Sequence, residues 1–205
     1  MNKPFAVSGM NVVSPKGQAV WCKVTEPDRK FDPEGTLSTD LVLDPKSPDV
    51  KAFIERLEAL QDKAFEETKE SMGAKAAQVK KRTFYADEYD QDGNPTGKIV
   101  FKFKLKNVDT RREKGQQHEI QVVDANKQAV KPVPLVGNGS TIRVASYVYP
   151  YYMASTKELG LSMLWSKMQI IDLVEYSGGK GDDFDTEDGY AASSSSAESF
   201  GDDDF

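Results

Sequence analysis

Apolar and polar residues alternate with a period of two along several segments of this chain, which is typical of β-strands. The alternation is strictest in 98–107 and 141–152. In the first segment, one side is apolar and the other is cationic: Ile99, Phe101, Phe103 and Leu105 alternate with Lys98, Lys102, Lys104 and Lys106. In the second, Ile142, Val144 and Val148 lie opposite Arg143, Ala145, Tyr147, Tyr149 and Tyr151. Both segments are therefore predicted to be strands with one buried and one exposed side.

Shorter apolar segments predict further strands at 5–13, 18–25, 36–43, 119–123 and 161–176, separated by segments rich in Gly, Pro and Asp. In 18–25, Val20, Cys22 and Val24 are expected on one side and Trp21, Lys23 and Thr25 on the other. The acidic segment 85–97 is predicted to be a hairpin turn, because it lacks the glutamate that closes a calcium-binding EF-hand loop.

One segment, about 48–72, has helical periodicity instead. Ser47 is the expected N-cap residue and Pro48 lies in the first turn. The apolar positions recur at helical spacing: Val50, Phe53, Ile54, Leu57, Leu60, Ala64 and Phe65. The pattern predicts a mainly β domain over residues 1–177 with one inserted amphipathic helix.

Composition changes abruptly at the end of the chain. The chain has 27 basic and 33 acidic residues, and 178–205 contains nine of the acidic residues against the single base Lys180. Residues 1–177 thus carry a net charge of about plus two, and 178–205 about minus eight. A Gly- and Ser-rich segment with this charge is predicted to be a disordered acidic tail.

Four aromatic residues are spaced among the tail's acids: Phe184, Tyr190, Phe200 and Phe205. A tail that only keeps the protein soluble is one interpretation, but such a tail gains nothing from exposed rings. Alternating negative charge and flat rings imitates single-stranded nucleic acid. The second interpretation is a tail that competes with DNA and offers Asp202, Asp203, Asp204 and Phe205 to partner proteins.

Several function classes are not supported by the sequence. No apolar segment approaches the length that crosses a bilayer and no signal-peptide pattern occurs, so a soluble protein of the cytoplasm is expected. The single cysteine, Cys22, is expected to be a buried, inert thiol. The chain has one histidine, His118, and none of the common catalytic or metal-binding motifs. No enzyme activity, metal or cofactor is predicted.

The candidate DNA-binding residues are the lysines of 98–106 and the loop residues Arg111, Arg112 and Lys114. Lysines on every second strand position are about 6.8 Å apart, close to the phosphate repeat of an extended strand. The alternative is an exposed strand edge that the lysines protect from aggregation.

Aromatic residues beside these bases are candidate stacking platforms. Arg143, Tyr147, Tyr149 and Tyr151 share one side of their strand, and Trp21 and Lys23 share one side of another. The alternatives are a cross-strand packing ladder for the tyrosines and a tryptophan buried under a loop.

The order of several short motifs resembles the single-stranded DNA-binding proteins that certain tailed bacteriophages encode for replication. The matching residues are Phe101 to Lys104, Val122 to Asp124, Val133-Pro134, Gly137 and Gly139, Pro150-Tyr151, Gly178-Gly179, Asp188 to Tyr190 and the final Asp-Phe. The resemblance is good over about 95–205. In the first half of the chain it is limited to the general arrangement of the predicted elements.

The resemblance implies a five-stranded OB-fold barrel that coats and anneals single strands, cooperatively or as a homodimer, in DNA replication and recombination. It also implies tail contacts to the phage DNA polymerase and helicase-primase. By position, Tyr151 corresponds to an aromatic residue at the family's DNA face and Phe205 to its terminal aromatic residue. This tail is shorter and less acidic than the long tails of that family. The rival hypotheses are a protein-interaction scaffold or DNA mimic that acts through its tail, and, less favoured, a nuclease.

Overall fold

A computed structural model describes residues 4–108 and 117–175 of the chain. Within these residues the polypeptide forms one α-helix, α1, and nine strands. The strands are β1 (Met10–Val13), β2 (Gly17–Asp28), β3 (Thr36–Leu43), β4 (Lys80–Lys81), β5 (Ala86–Tyr89), β6 (Pro95–Lys106), β7 (Gln121–Val123), β8 (Thr141–Met153) and β9 (Glu158–Asp172). The helix α1 spans Pro48–Met72 and is followed by a 3₁₀ turn at Gly73–Gln78.

Five of the strands pair in a closed ring. β2 pairs with β3, β3 with β6, β6 with β9, β9 with β8, and β8 with the first residues of β2. The short strands extend this ring at its edges, with β1 on β8, β5 on β6, and β4 and β7 on β9. The predicted fold class, a mainly β OB-type fold with one inserted helix, is confirmed.

The two strictly alternating segments behave as predicted. Phe101 and Phe103 on β6 are fully buried inside the ring, as are the apolar residues Ile142, Val144 and Val148 on β8. The helix α1 covers this core, since Phe53 meets Phe101 edge to face with ring centroids 5.3 Å apart. The opposite side chains of β6 and β8 consequently lie on the outside of the ring.

The helix has the predicted bounds and the predicted buried face, with two differences. Ser47 stands at the N-cap position, but its side chain does not cap the helix. Gln61 is also buried, because its amide donates hydrogen bonds to the carbonyl oxygens of Arg82 and Leu159.

Three details of the predicted strands are wrong. The strand expected at 5–13 begins only at Met10, while Phe5 is buried against Ala64 of α1 and Leu159 of β9. Segment 85–97 contains the strand β5 as well as the predicted turn. The strand expected at 119–123 is shorter, at Gln121–Val123, and it pairs in parallel with β9.

The predicted sidedness of β2 fails at Val20. Val20 pairs with Asp40 and Lys23 with Ser38, so β2 has one more residue than β3 in this interval. This bulge contains Trp21 and Cys22, and it places Val20 on the same side of the sheet as Lys23. Alternation along a single strand cannot reveal an inserted residue, and the pattern of β2 was therefore interpreted as regular.

Candidate nucleic-acid interface

The outward side chains of five strands meet in one continuous row. Tyr147 of β8 pairs with Leu164 of β9, Leu164 pairs with Lys104 of β6, and the row continues through Ser38 of β3 to Lys23 of β2. Paired residues on neighbouring strands point to the same side of a sheet. Neighbouring strands are about 4.8 Å apart, so the backbones of Tyr147 and Lys104 lie about 10 Å apart. The cationic strand and the tyrosine strand thus form one surface.

The lysines of β6 are exposed, as predicted, but two of them have carboxylate partners on the neighbouring chain segments. Lys102 lies 3.4 Å from Asp40 on β3, and Lys106 lies 3.4 Å from Asp32 in the β2–β3 connection. For Lys98 and Lys104, the described residues include no such ion pair. Lys98 instead borders a groove of about 260 Å³ together with Lys16.

Lys23 is also paired within the protein. Its ammonium group donates a 2.9 Å hydrogen bond to Asp28, which is the main reason that the pKa of Asp28 lies below its usual value. The backbone N–H of Lys30 also donates to this carboxylate. Three lysines of the candidate interface are therefore partly neutralised by Asp28, Asp32 and Asp40.

The tyrosines lie on the outer side of β8, and their rings differ in exposure to solvent. Tyr147 is 38% exposed, and Tyr149 and Tyr151 are half-buried. The rings of Tyr147 and Tyr149 stack with centroids 6.2 Å apart, while Tyr151 lies over Gly160 of β9. The side chains thus pack against one another or against glycine, yet they remain outside the core.

Arg143 lies on the same side of β8 and is half-buried beside Gln169 of β9. Its Nε is buried and has no hydrogen-bond partner among the described residues. Trp21 is 69% exposed, which excludes the alternative of a ring buried under a loop.

The remaining predicted site residues lie outside the described residues. They are Arg111, Arg112 and Lys114 in the loop after β6, and Asp202, Asp203, Asp204 and Phe205 at the end of the chain.

The sequence interpretation missed a basic and aromatic tip in the connection between β2 and β3. Arg29 and Lys30 are exposed, and Phe31 is 91% exposed with the Lys30 ammonium group 5.3 Å from its ring centroid. The connection is attached to the lysine strand, because Asp32 pairs with Lys106 and the Asn107 amide donates to the Glu34 carbonyl oxygen at 2.9 Å. The signal in the sequence was a phenylalanine directly after two bases, within a segment classified only as a turn-rich connection.

A second basic group lies across β9 from Tyr151. Lys81 of β4 pairs with Leu159 of β9, and the next residue, Arg82, donates its backbone N–H to the Leu159 carbonyl oxygen at 2.8 Å. The run of basic residues after α1 therefore lies on the edge of β9 opposite to β8. Part of it is ion-paired, with Lys81 on Asp62 and Arg82 on Glu158.

Residues 4–108 and 117–175 contain neither a candidate metal site nor a candidate membrane span. No three or more His, Cys, Asp or Glu side chains are grouped there to hold a metal ion. No helix in this part of the chain is long and apolar enough to span a membrane.

Comparisons with known proteins agree on one family. The sequence profile of the family described as single-stranded DNA-binding protein of bacteriophage T7 matches residues 16–173. The single-stranded DNA-binding protein of enterobacteria phage T3 is 25% identical over 203 residues, with 94% of this chain and 88% of the relative covered. That of Escherichia phage T7 is 24% identical over 204 residues, with coverages of 95% and 88%. Among solved structures, the crystal structure of gp2.5, a single-stranded DNA-binding protein encoded by bacteriophage T7, matches with a TM-score of 0.67 at 22% identity. The match covers 91% of this chain and 100% of the chain in that structure.

Proposed function

Because this chain belongs to the family of single-stranded DNA-binding proteins of bacteriophage T7, we propose that it binds single-stranded DNA without sequence preference along the outer side of β3, β6, β9 and β8. The observation that carries this proposal is the row from Lys23 to Tyr147. The lysines of the row can neutralise phosphates, and Tyr147, together with Tyr149 and Tyr151 on the same side of β8, can stack with bases. Neither contact depends on the identity of the base.

The tip of the β2–β3 connection extends the same surface. Phe31 offers an exposed ring to a base, while Arg29 and Lys30 offer charge to the phosphates on either side. The loop bases Arg111, Arg112 and Lys114 follow β6 directly in the chain, and we assign them to phosphate binding as well.

The proposal is tested by fluorescence anisotropy of a labelled oligothymidine over a series of salt concentrations. The logarithm of the binding constant should fall with the logarithm of salt with a slope of about −0.7 for each phosphate contacted. Replacing Lys104 with Ala should make that slope shallower by about 0.7, while Lys51→Ala on the exposed side of α1 should leave it unchanged. No binding at low salt, or equal slopes for both variants, would refute the proposed interface.

For residues 178–205 we propose a separate acidic tail that follows the binding domain of residues 1–177. Its charge and aromatic residues suit it to compete with DNA for the lysine strand, and to present Asp202 to Asp204 and Phe205 to other replication proteins. The partner class is a phage DNA polymerase or helicase-primase. Within this proposal the protein coats and anneals single strands during replication and recombination in the host cytoplasm, with a homodimer as its assembly.

A further inference from the structure

A groove of about 590 Å³ lies at the edge of β2, on the far side of Lys23 from the lysine strand. One wall is formed by the β2 residues that follow the bulge, and the other by the connection that leads into β8. Its lining includes Trp21, Lys23, Thr25 and Glu26 from β2 and Leu135 and Asn138 from the connection. Apart from its first two residues, which pair with β8, β2 has no described strand partner on this edge.

Trp21 is held at this groove by a backbone conformation that tryptophan rarely adopts. Its φ angle is +52°, in the left-handed region that favours glycine. Its backbone N–H donates a 2.9 Å hydrogen bond to the Asn138 side-chain oxygen. The turn that carries Asn138 is itself bonded to β2, since Gly139 donates to the Ala19 carbonyl oxygen and Ala19 donates to that of Ser140. The backbone of Trp21 is therefore held by a turn that is itself hydrogen-bonded to β2.

This arrangement is unfavourable for stability in two ways. A tryptophan in the left-handed region stores backbone strain. The indole is also 69% exposed, and Leu135 across the groove is 43% exposed, so the apolar surface gains little from burial. Strain together with an exposed ring is typical of a binding site.

The polar groups of the groove favour a nucleobase over a phosphate. The Thr25 hydroxyl and the Asn138 amide can hydrogen-bond to the edge of a base, whereas the Glu26 carboxylate would repel a phosphate inside the groove. Lys23 lies on the border between the groove and the outward row, where a phosphate of the same strand would pass.

We infer that this groove binds one unpaired nucleobase of single-stranded DNA, stacked on the indole ring of Trp21. Asn138 acts as a positioning residue because it fixes the backbone of Trp21. The inference rests on the single-stranded DNA binding proposed above and adds to it a separate base-binding site beyond the row.

Intrinsic fluorescence tests the site directly, because the two tryptophans of the chain differ strongly in their exposure to solvent. Trp165 is 1% exposed and its indole N–H donates to the Lys167 carbonyl oxygen, so DNA has no access to it. Titration of the full-length protein with oligothymidine should quench the emission of Trp21. The Trp21→Phe variant should lose this quenching and keep the emission of Trp165.

Affinity is measured in parallel by anisotropy of a labelled oligothymidine. Trp21→Ala should weaken binding about 5- to 150-fold, the loss expected for one stacked base. Tyr89→Ala is the matched control, because Tyr89 is also an exposed aromatic residue, on the β5–β6 hairpin, and its removal should leave affinity unchanged. Asn138→Ala should reduce the quenching amplitude while Trp21 is still present, and circular dichroism confirms that each variant is folded.

The two proposals fail in different ways. If the oligonucleotide binds but the emission of Trp21 does not change, the groove is not a base site and the outward row still stands. Equal losses for Trp21→Ala and Tyr89→Ala would also overturn the base site. If no oligonucleotide binds to the unaltered protein, the proposed function itself is wrong.

Discussion

The ring of Tyr151 on β8 lies over Gly160, its cross-strand partner on β9. A Cβ atom at Gly160 would be 2.6 Å from the Tyr151 hydroxyl oxygen and 2.7 Å from the ring carbon that bears it. The glycine is therefore required by the close approach of the ring, a common reason for glycine within a strand. Glycine at this position leaves the space that the Tyr151 ring occupies, and the basic residues of β4 lie on the other edge of β9.

We expect Gly160→Ala to weaken binding of single-stranded DNA by displacing Tyr151, with no change at any DNA-contacting residue. The new methyl group cannot coexist with the ring in its present place, because contacts of 2.6 to 2.9 Å are too short. Tyr151→Ala should reduce affinity by about 1 to 3 kcal/mol if the ring stacks on a base. Gly160→Ala should reduce the affinity by nearly as much, as measured by anisotropy with oligothymidine.

A double-mutant cycle separates this effect from general damage. Once Tyr151 is alanine, Gly160→Ala should have no further effect on affinity, because there is no ring left to displace. Additive losses in the double variant would contradict the mechanism. A lower melting temperature with unchanged affinity for Tyr151→Ala would show that the ring is only a packing element.

A second prediction concerns the ion pair of Lys102 and Asp40. Asp40→Asn should tighten DNA binding, because Lys102 then no longer has a carboxylate 3.4 Å away. The salt dependence should become steeper by up to about 0.7, the contribution of one further phosphate contact on a single strand. Both quantities come from one anisotropy series over salt concentration.

Asp92→Asn serves as the matched control for this charge change. Asp92 is exposed in the β5–β6 turn, away from the ion pairs of the lysine strand. Should both variants tighten binding equally, the effect would come from net charge alone and the pair would have no specific role.

The alternation of residues was sufficient to predict β6, β8 and their exposed sides, because a period of two depends only on the strand itself. The helix α1 was predictable for the same reason, since its apolar spacing and Pro48 are local signals. The pairing of strands is not local. The row that joins Lys104 to Tyr147 depends on a parallel contact between β6 and β9, and nothing in either segment specifies that contact.

Other parts of the site depend on single residues in unusual positions. The bulge at Trp21 inserts one residue into an otherwise regular pattern, and the Asn138 side chain that supports it is 117 positions away. The ion pairs of Lys102 and Lys106 likewise join residues that are distant in the sequence. A count of exposed lysines from the sequence therefore overestimates the free positive charge of the interface.

Cys22 offers a test that depends on pH. Burial raises the pKa of this thiol from about 9 to about 11, and hydrogen bonds with Thr39 and the Val24 backbone oppose the shift only in part. Only the thiolate is reactive, so alkylation of the folded protein should be slow at pH 8 and should increase about tenfold per pH unit without a plateau below pH 10. The unfolded protein in guanidinium should react faster, with a rate that is half-maximal near pH 9, the ordinary pKa of a thiol. Rapid reaction of the folded protein at pH 8 would refute the buried, protonated thiol.

The acidic tail is tested by removing or replacing it. A chain that ends at Ser177 should bind oligothymidine more tightly than the full chain, because a tethered competitor can reach an effective concentration of about millimolar. The difference should be largest at low salt and should shrink as salt screens the attraction between the tail's nine acidic residues and the lysine strand. A chain with a neutral Gly- and Ser-rich tail of equal length should behave like the truncated one.

A fourth chain separates the effect of charge from that of the aromatic rings. In this chain the tail keeps its acids, while Phe184, Tyr190, Phe200 and Phe205 become serine. If this tail competes with DNA as well as the natural tail does, negative charge alone explains the competition. The aromatic rings would then serve only the binding of partner proteins. Equal affinity of all four chains at every salt concentration would exclude competition by the tail altogether.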